Sequence, residues 1–258
     1  TNSVSSEVDV YIDGFLYVEG FQYRSATPVL DLDTEFTIGI APAGGDTIAY
    51  FQFDLEQEEQ YVVVATGILD NDVTPFNLVA DSTMFGATDG NVGLNIYHGS
   101  TDVPSVDVSL AYSGDLVSEV SDLMYGEFSG FEEFAAAIYT IGIDTAGGAS
   151  IEGFTADLSG LGGKSAVVFT SGFLTPGDSD PGFGLFKALE DGSVSDLTRY
   201  LGQMLYDING DTNTNVLDII SLIDIILGFS ESRNGDLNYD GNIDVIDITI
   251  LIDYILTI

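Results

Sequence analysis

The sequence predicts a mainly β protein: two tandem β-sandwich units, then a small all-α module of two loop–helix repeats. Three observations predict it. Short runs of alternating or continuous apolar residues, closed by glycine turns, fill residues 1–196. That region contains an internal repeat. Helical periodicity is confined to residues after 215.

The β elements read directly from the chain. Val8-Asp-Val-Tyr-Ile-Asp-Gly14 alternates and ends in Asp-Gly, a strand followed by a turn. Tyr61-Val-Val-Val-Ala-Thr-Gly67 and Ala166-Val-Val-Phe-Thr-Ser-Gly172 read as buried strands stopped by glycine. Glycine pairs at Gly44-Gly45, Gly147-Gly148 and Gly162-Gly163 mark further turns. Many short strands with such punctuation indicate sandwiches or barrels.

The repeat sets the unit size. Phe36-Thr-Ile-Gly-Ile-Ala-Pro-Ala-Gly-Gly45 matches Tyr139-Thr-Ile-Gly-Ile-Asp-Thr-Ala-Gly-Gly148 at seven of ten positions. Val8-Asp9-Val10 pairs with Val106-Asp107-Val108, and Val62, Val63, Gly67 and Leu69 pair with Val167, Val168, Gly172 and Leu174. The expected organisation is copy one over 1–90, copy two over 91–196, a linker over 197–206 and the helical module over 207–258. Copy two carries an apolar strand and a turn ahead of its Val-Asp-Val, Gly93 to Ser105. Copy one has only Thr1 to Glu7 there, so it is expected to lack its first strand. A sandwich short of a strand exposes unpaired backbone groups, a template for strand donation by another chain.

Ile96-Tyr-His-Gly-Ser-Thr-Asp-Val-Pro-Ser-Val-Asp-Val108 resembles the opening of domain-of-unknown-function family 4397, which carries His-Ala-Ser-Pro-Asp-Ala-Pro-x-Val-Asp-Val. Gly99 stands for the Ala and Thr101 for the Pro. Copy one keeps Val8-Asp-Val-Tyr-Ile-Asp-Gly14 and loses the His-Ser-Asp-Pro part. The resemblance, over residues 8–196, implies a β-sandwich of prokaryotic surface proteins with no established chemistry.

The strongest chemical signal lies at the end of the chain. Asp207-Ile-Asn-Gly-Asp-Thr-Asn-Thr-Asn-Val-Leu-Asp218 places oxygen side chains at loop positions 1, 3, 5, 9 and 12, and Asp236 to Asp247 repeats it 29 residues on. Twelve of 22 positions are identical between 207–228 and 236–257, so chance is a poor account of the pair. Side chains at 1, 3 and 5, a carbonyl at 7 and a carboxylate at 12 supply the oxygen shell a hard cation such as Ca²⁺ wants. Loop two has Gly241 at the sharp turn and four carboxylates; loop one has Thr212 and three, so it is expected to be the weaker site. Each loop is followed by an apolar stripe at helical spacing. Phe229 to Gly235 is too short and polar for an entering helix, which excludes a calmodulin-like paired helix–loop–helix.

This pattern resembles the type I dockerin module, which binds cohesin domains. The resemblance covers about residues 205–258 and implies two Ca²⁺. The implied ligands are Asp207, Asn209, Asp211, the Asn213 carbonyl, Asn215 and Asp218, then Asp236, Asn238, Asp240, the Asn242 carbonyl, Asp244 and Asp247. The implied partner surface is Val216-Leu217 and Val245-Ile246, aliphatic where many dockerins carry hydroxyls. That departure favours a drier interface.

Composition excludes other classes. The formal net charge is −37, from 42 acidic and five basic side chains, which rules out a nucleic-acid footprint and argues against an anionic membrane face. No apolar run is long enough to span a bilayer, so membrane insertion is not expected. Cysteine is absent, excluding disulfides and thiol chemistry. His98 stands alone as histidine, so a Ser-His-Asp triad has little support. Glu58-Glu59 and Glu132-Glu133 read as solvated faces, and Gly160-Leu-Gly-Gly-Lys-Ser165 lacks phosphate-loop spacing and reads as a turn. Asp31-Leu-Asp33 and Asp178-Ser-Asp180 read as surface loops.

The expected function is that of a non-catalytic extracellular or cell-surface structural protein, a mature or trimmed product. Its expected partners are identical subunits in a filament or surface layer. The alternatives are a cohesin-like β-domain in a cellulosome-like complex, with this chain as an accessory subunit, and a carbohydrate-binding protein.

Overall fold

The computed structural model describes residues 7–69, 71–113, 115–148, 150–199, 206–209, 214–229, 235, 237–238 and 242–256. The protein is mainly β with two short helices. In copy one, β1 (Val8–Ile12), β2 (Phe15–Phe21), β3 (Glu35–Pro42) and β4 (Ala49–Asp54) form one antiparallel sheet in the order β2-β1-β3-β4. β5 (Gln60–Thr66) and β6 (Asn77–Thr83) form a separate two-stranded sheet.

Copy two is a fuller sandwich. Its strands are β7 (Asn91–His98), β8 (Val106–Tyr112), β9 (Asp115–Leu123), β10 (Phe128–Ala135), β11 (Ile138–Thr145), β12 (Ser150–Asp157), β13 (Lys164–Ser171), β14 (Gly184–Leu189), β15 (Val194–Asp196) and β16 (Thr198–Arg199). One sheet runs β10-β7-β13-β14-β15 and the facing one β16-β12-β11-β8-β9. Alternate apolar residues of the two inner faces, such as Val92, Leu94, Val108, Ile141, Ile143, Phe154 and Val168, pack into one core. β16 and the buried Leu197 carry this sandwich to Arg199, into the stretch read from sequence as linker 197–206.

The sequence repeat is a repeat of strand pairing. Val8 pairs with Pro42 as Val106 pairs with Thr145, and Glu35 with Asp54 as Ile138 with Asp157. Each copy also places one glycine where nothing else fits. At Gly67 (φ +82°) an added Cβ would run into the Pro75 carbonyl oxygen; at Gly172 (φ +94°) it would run into that of Gly182.

The Val-Asp-Val signature has a physical role. Asp9 Oδ1 accepts from the Gly20 N–H (2.9 Å) and Oδ2 from the Gly44 N–H (2.8 Å), tying an irregularity in β2 to the β3–β4 turn. Its counterpart Asp107 accepts from the Asp122 N–H (2.8 Å) at the matching place in β9. The backbone donors of Gly44 and Gly20 hold the Asp9 carboxyl below its ordinary value.

The C-terminal part contains α1 (Val216–Ile226) and α2 (Val245–Ile255). Leu222 and Leu251, equivalent in the 29-residue repeat, are fully buried, with Ile208 and Leu237 beside them. Tyr206 stacks on Tyr254 with ring centroids 3.9 Å apart. Among the described residues no helix is long and apolar enough to cross a membrane.

Candidate functional site

Two places depart from a closed, self-satisfied fold. The first is copy one. In copy two, β7 lies parallel to β13, with Lys164 opposite Val92 and Thr170 opposite His98, and β10 flanks it on the far side. In copy one, β5 is the equivalent of β13, yet among the described residues it pairs only with β6. β5 borders a groove of about 1410 Å³ lined by Val10, Phe36, Ile38, Tyr61 and Val63 of copy one, by Ala166, Val167 and Phe169 of copy two, and by polar and acidic residues at its rim.

Among the described residues copy one has no counterpart of β7, β10, β15 or β16, and residues 1–6, in the stretch where the sequence reading expects its first strand to be missing, lie outside the described residues. The place of β10 in the chain of copy one, residues 22–34, forms no strand. This segment makes its contacts with copy two instead. Arg24 Nη2 donates to the carbonyls of Ser171 (3.0 Å) and Gly182 (2.9 Å), and its guanidinium sits 4.1 Å from the Phe186 ring centroid. Tyr23 OH and Ser171 Oγ share a hydrogen bond (2.7 Å), and the Val29 N–H donates to the Glu190 carbonyl (2.9 Å). A signal was present in spacing: 28 positions separate Val8 from Phe36, and 33 separate Val106 from Tyr139.

The His-Gly-Ser-Thr-Asp turn shows what copy one has lost. His98 is fully buried; Nδ1 lies 3.0 Å from Thr170 Oγ1 and Nε2 3.1 Å from the Pro104 carbonyl. Asp102 accepts from the Leu174 and Thr175 N–H groups (both 2.9 Å). Together they fasten the end of β7 to β13 and the loop after it. Burial pushes the His98 ring below its ordinary value, so it stays neutral. In copy one Ala65 replaces Thr170, and the residue that fastens such a histidine is absent.

The second place is the tail. Asp218, at loop position 12, is fully buried; Oδ1 accepts from the Asn209 N–H (3.2 Å) and Oδ2 from the Asn215 N–H (2.7 Å). Asp247 does the same with the N–H groups of Leu237 (2.7 Å) and Asp244 (2.8 Å). Asn215 and Asp244, at position 9, cap α1 and α2 by accepting from Leu217 and Ile246. A carboxylate has about four lone-pair sites; each of these uses two on backbone donors and faces no basic side chain among the described residues. Buried carboxyl oxygens with acceptor capacity left over are of the kind that ligate a hard cation. Asp207, Asn209, Asn238 and Asn242 lie on the same two loops. Asp211, Asn213, Asp236 and Asp240 lie outside the described residues. Among the described residues, no group of three or more His, Cys, Asp or Glu gathers as a metal cluster. Val216, Leu217, Val245 and Ile246 are half or more exposed, on the first turns of the two helices.

Residues 2–109 match a family model described as a domain of unknown function, DUF4397. The match covers β1 to β6 and runs on through β7 into β8, so the DUF4397 stretch crosses from copy one into copy two. It contains both Val-Asp-Val signatures and the His98 turn. No curated protein matches the chain.

Proposed function

We propose that this chain is a non-catalytic structural protein, working outside the cell, whose role is to join other polypeptides. Copy one receives a β-strand from a partner, and a calcium-set tail offers an aliphatic face to a second one. The observation that carries this reading is the edge of β5 that pairs with no strand among the described residues, beside a groove with an apolar floor, at the position where copy two seats β7. An unpaired edge gives main-chain affinity and the groove gives side-chain selection.

The tail would be set by two Ca²⁺. Asp207, Asn209, Asp211, Asn213, Asn215 and Asp218 would hold one, and Asp236, Asn238, Asp240, Asn242, Asp244 and Asp247 the other. The module carries ten acids against one arginine, and two divalent ions would remove four of its nine net negative charges. Val216, Leu217, Val245 and Ile246 would then meet an identical subunit or a cohesin-like β-domain. Two docking surfaces on one chain, neither facing its own kind of patch, link partners into open assemblies such as a filament or surface layer.

Calorimetric titration of the calcium-loaded chain with a peptide of the sequence Asn91–Ser105 tests the reading. Saturable binding of one peptide per chain is expected. A peptide that neither binds nor protects β5 amides from exchange would remove the strand-accepting role.

A further inference from the structure

We infer that the strand taken up by copy one runs parallel to β5, carries positive charge on its N-terminal flank, and comes from a polypeptide other than this one. The inference rests on the strand-accepting reading above and adds direction, charge and source to it.

Direction follows from the internal template. β7 is parallel to β13, and β5 holds the place of β13 with the same partner register on its other side: Tyr61 with Ser82, Ala166 with Leu189. A strand filling the same slot enters with its N-terminal end near Gln60 and leaves near Thr66.

Charge follows from what stands at that entrance. Glu56, Glu58 and Glu59 immediately precede β5, and Asp31, Asp33 and Glu35 line the same groove; all six are exposed. Arg24, the one basic side chain among the described residues that line it, lies at the far end, bonded to Ser171 and Gly182. Copy two has the opposite sign at this point, because Lys164 occupies the position of Glu59. Like charges at such a rim repel and opposite charges steer and orient an incoming segment. Within the groove, branched aliphatic residues at every second position are required, as Val92, Leu94 and Ile96 supply in copy two. A terminal histidine is not, since Ala65 offers no hydroxyl.

Source follows from the chain's five basic residues. Of Arg24, Lys164, Lys187, Arg199 and Arg233, only Lys164 leads an apolar stretch of the needed kind, and that stretch is β13, held between β7 and β14.

The test uses the full calcium-loaded chain and three peptides sharing the core of β7: Lys-Lys ahead of it, Lys-Lys behind it, and Glu-Glu ahead of it. At low ionic strength the first should bind about three- to tenfold more tightly than the second, and more tightly still than the third. The gap should close at about 0.5 M salt. The combined variant Glu56→Gln, Glu58→Gln, Glu59→Gln should narrow the gap between the first peptide and the other two. If no peptide binds, the strand-accepting reading itself fails. If the three bind equally to the unaltered chain, the groove still accepts a strand and only the inferred charge and direction fail. Protection of β5 amides that rises with the concentration of the chain alone would assign the groove to a second copy and overturn the inferred source.

Discussion

Copy one and copy two share a strand pattern and differ in how well it is closed. Val106, Val108 and Leu110 of β8 are buried to 2% exposure or less, while Val8, Val10 and Ile12 at the same register of β1 are only half-buried. Ile141 and Leu158 are fully buried, and their counterparts Ile38 and Leu55 are not. The residues are as apolar in one copy as in the other. What differs is the cover: β7 and β10 complete copy two, and copy one has neither among the described residues. Apolar patterning fixes which face points inward, and the number of strands decides whether that face is dry.

Four outcomes break or sharpen this contrast, the largest first. Chelation with EDTA should abolish the helical signal of α1 and α2 and leave both β copies folded, since short helices are marginal without tertiary or metal support. Far-ultraviolet circular dichroism reads it, and a tail equally helical in excess EDTA contradicts the calcium assignment. Next come the forced glycines. Gly67→Ala and Gly172→Ala should each cost more than about 4 kcal/mol, because backbone lies in the way at both sites. Equal damage there would show that the copies differ in cover and not in framework; denaturant melts measure it.

Core truncation should separate them. Ile141→Ala should cost about 2–5 kcal/mol, and Ile38→Ala about 1–2 kcal/mol, because less contact is lost from an open wall. Equal costs would mean that copy one is as closed as copy two. The smallest effect concerns pH. Burial makes His98 harder to protonate in the fold than in the unfolded chain, which takes up a proton below about 6.5. The stability of copy two should therefore be full above that value and decline as pH falls below it, by at most about 1.4 kcal/mol per pH unit. Copy one holds no histidine, so its melting should stay flat between pH 7 and 5.5.

Much of this was legible beforehand because periodicity and repeats report on local structure. Val8-Asp-Val, Phe36-Thr-Ile-Gly-Ile and the two glycine-stopped strands marked the β framework. The loss of the β10 counterpart was harder to see. Residues 22–34 are not unlike other loops, and only the copy-two contacts of Arg24 and Val29 reveal where they go. Pairing between distant strands leaves no local trace, so neither the parallel β7–β13 ladder nor the groove beside β5 could be read from spacing. The fastening role of His98 depends on Thr170, 72 residues away, for the same reason.

Residue-resolved hydrogen exchange on the free chain tests the open edge most directly. In β13, amides should be protected throughout, because β7 and β14 flank it on both sides. In β5, protection should alternate, with the N–H groups aimed at β6 slow and those aimed at the groove fast. Uniform slow exchange along Gln60–Thr66, matching that of Lys164–Ser171, would mean that the first sandwich is already complete.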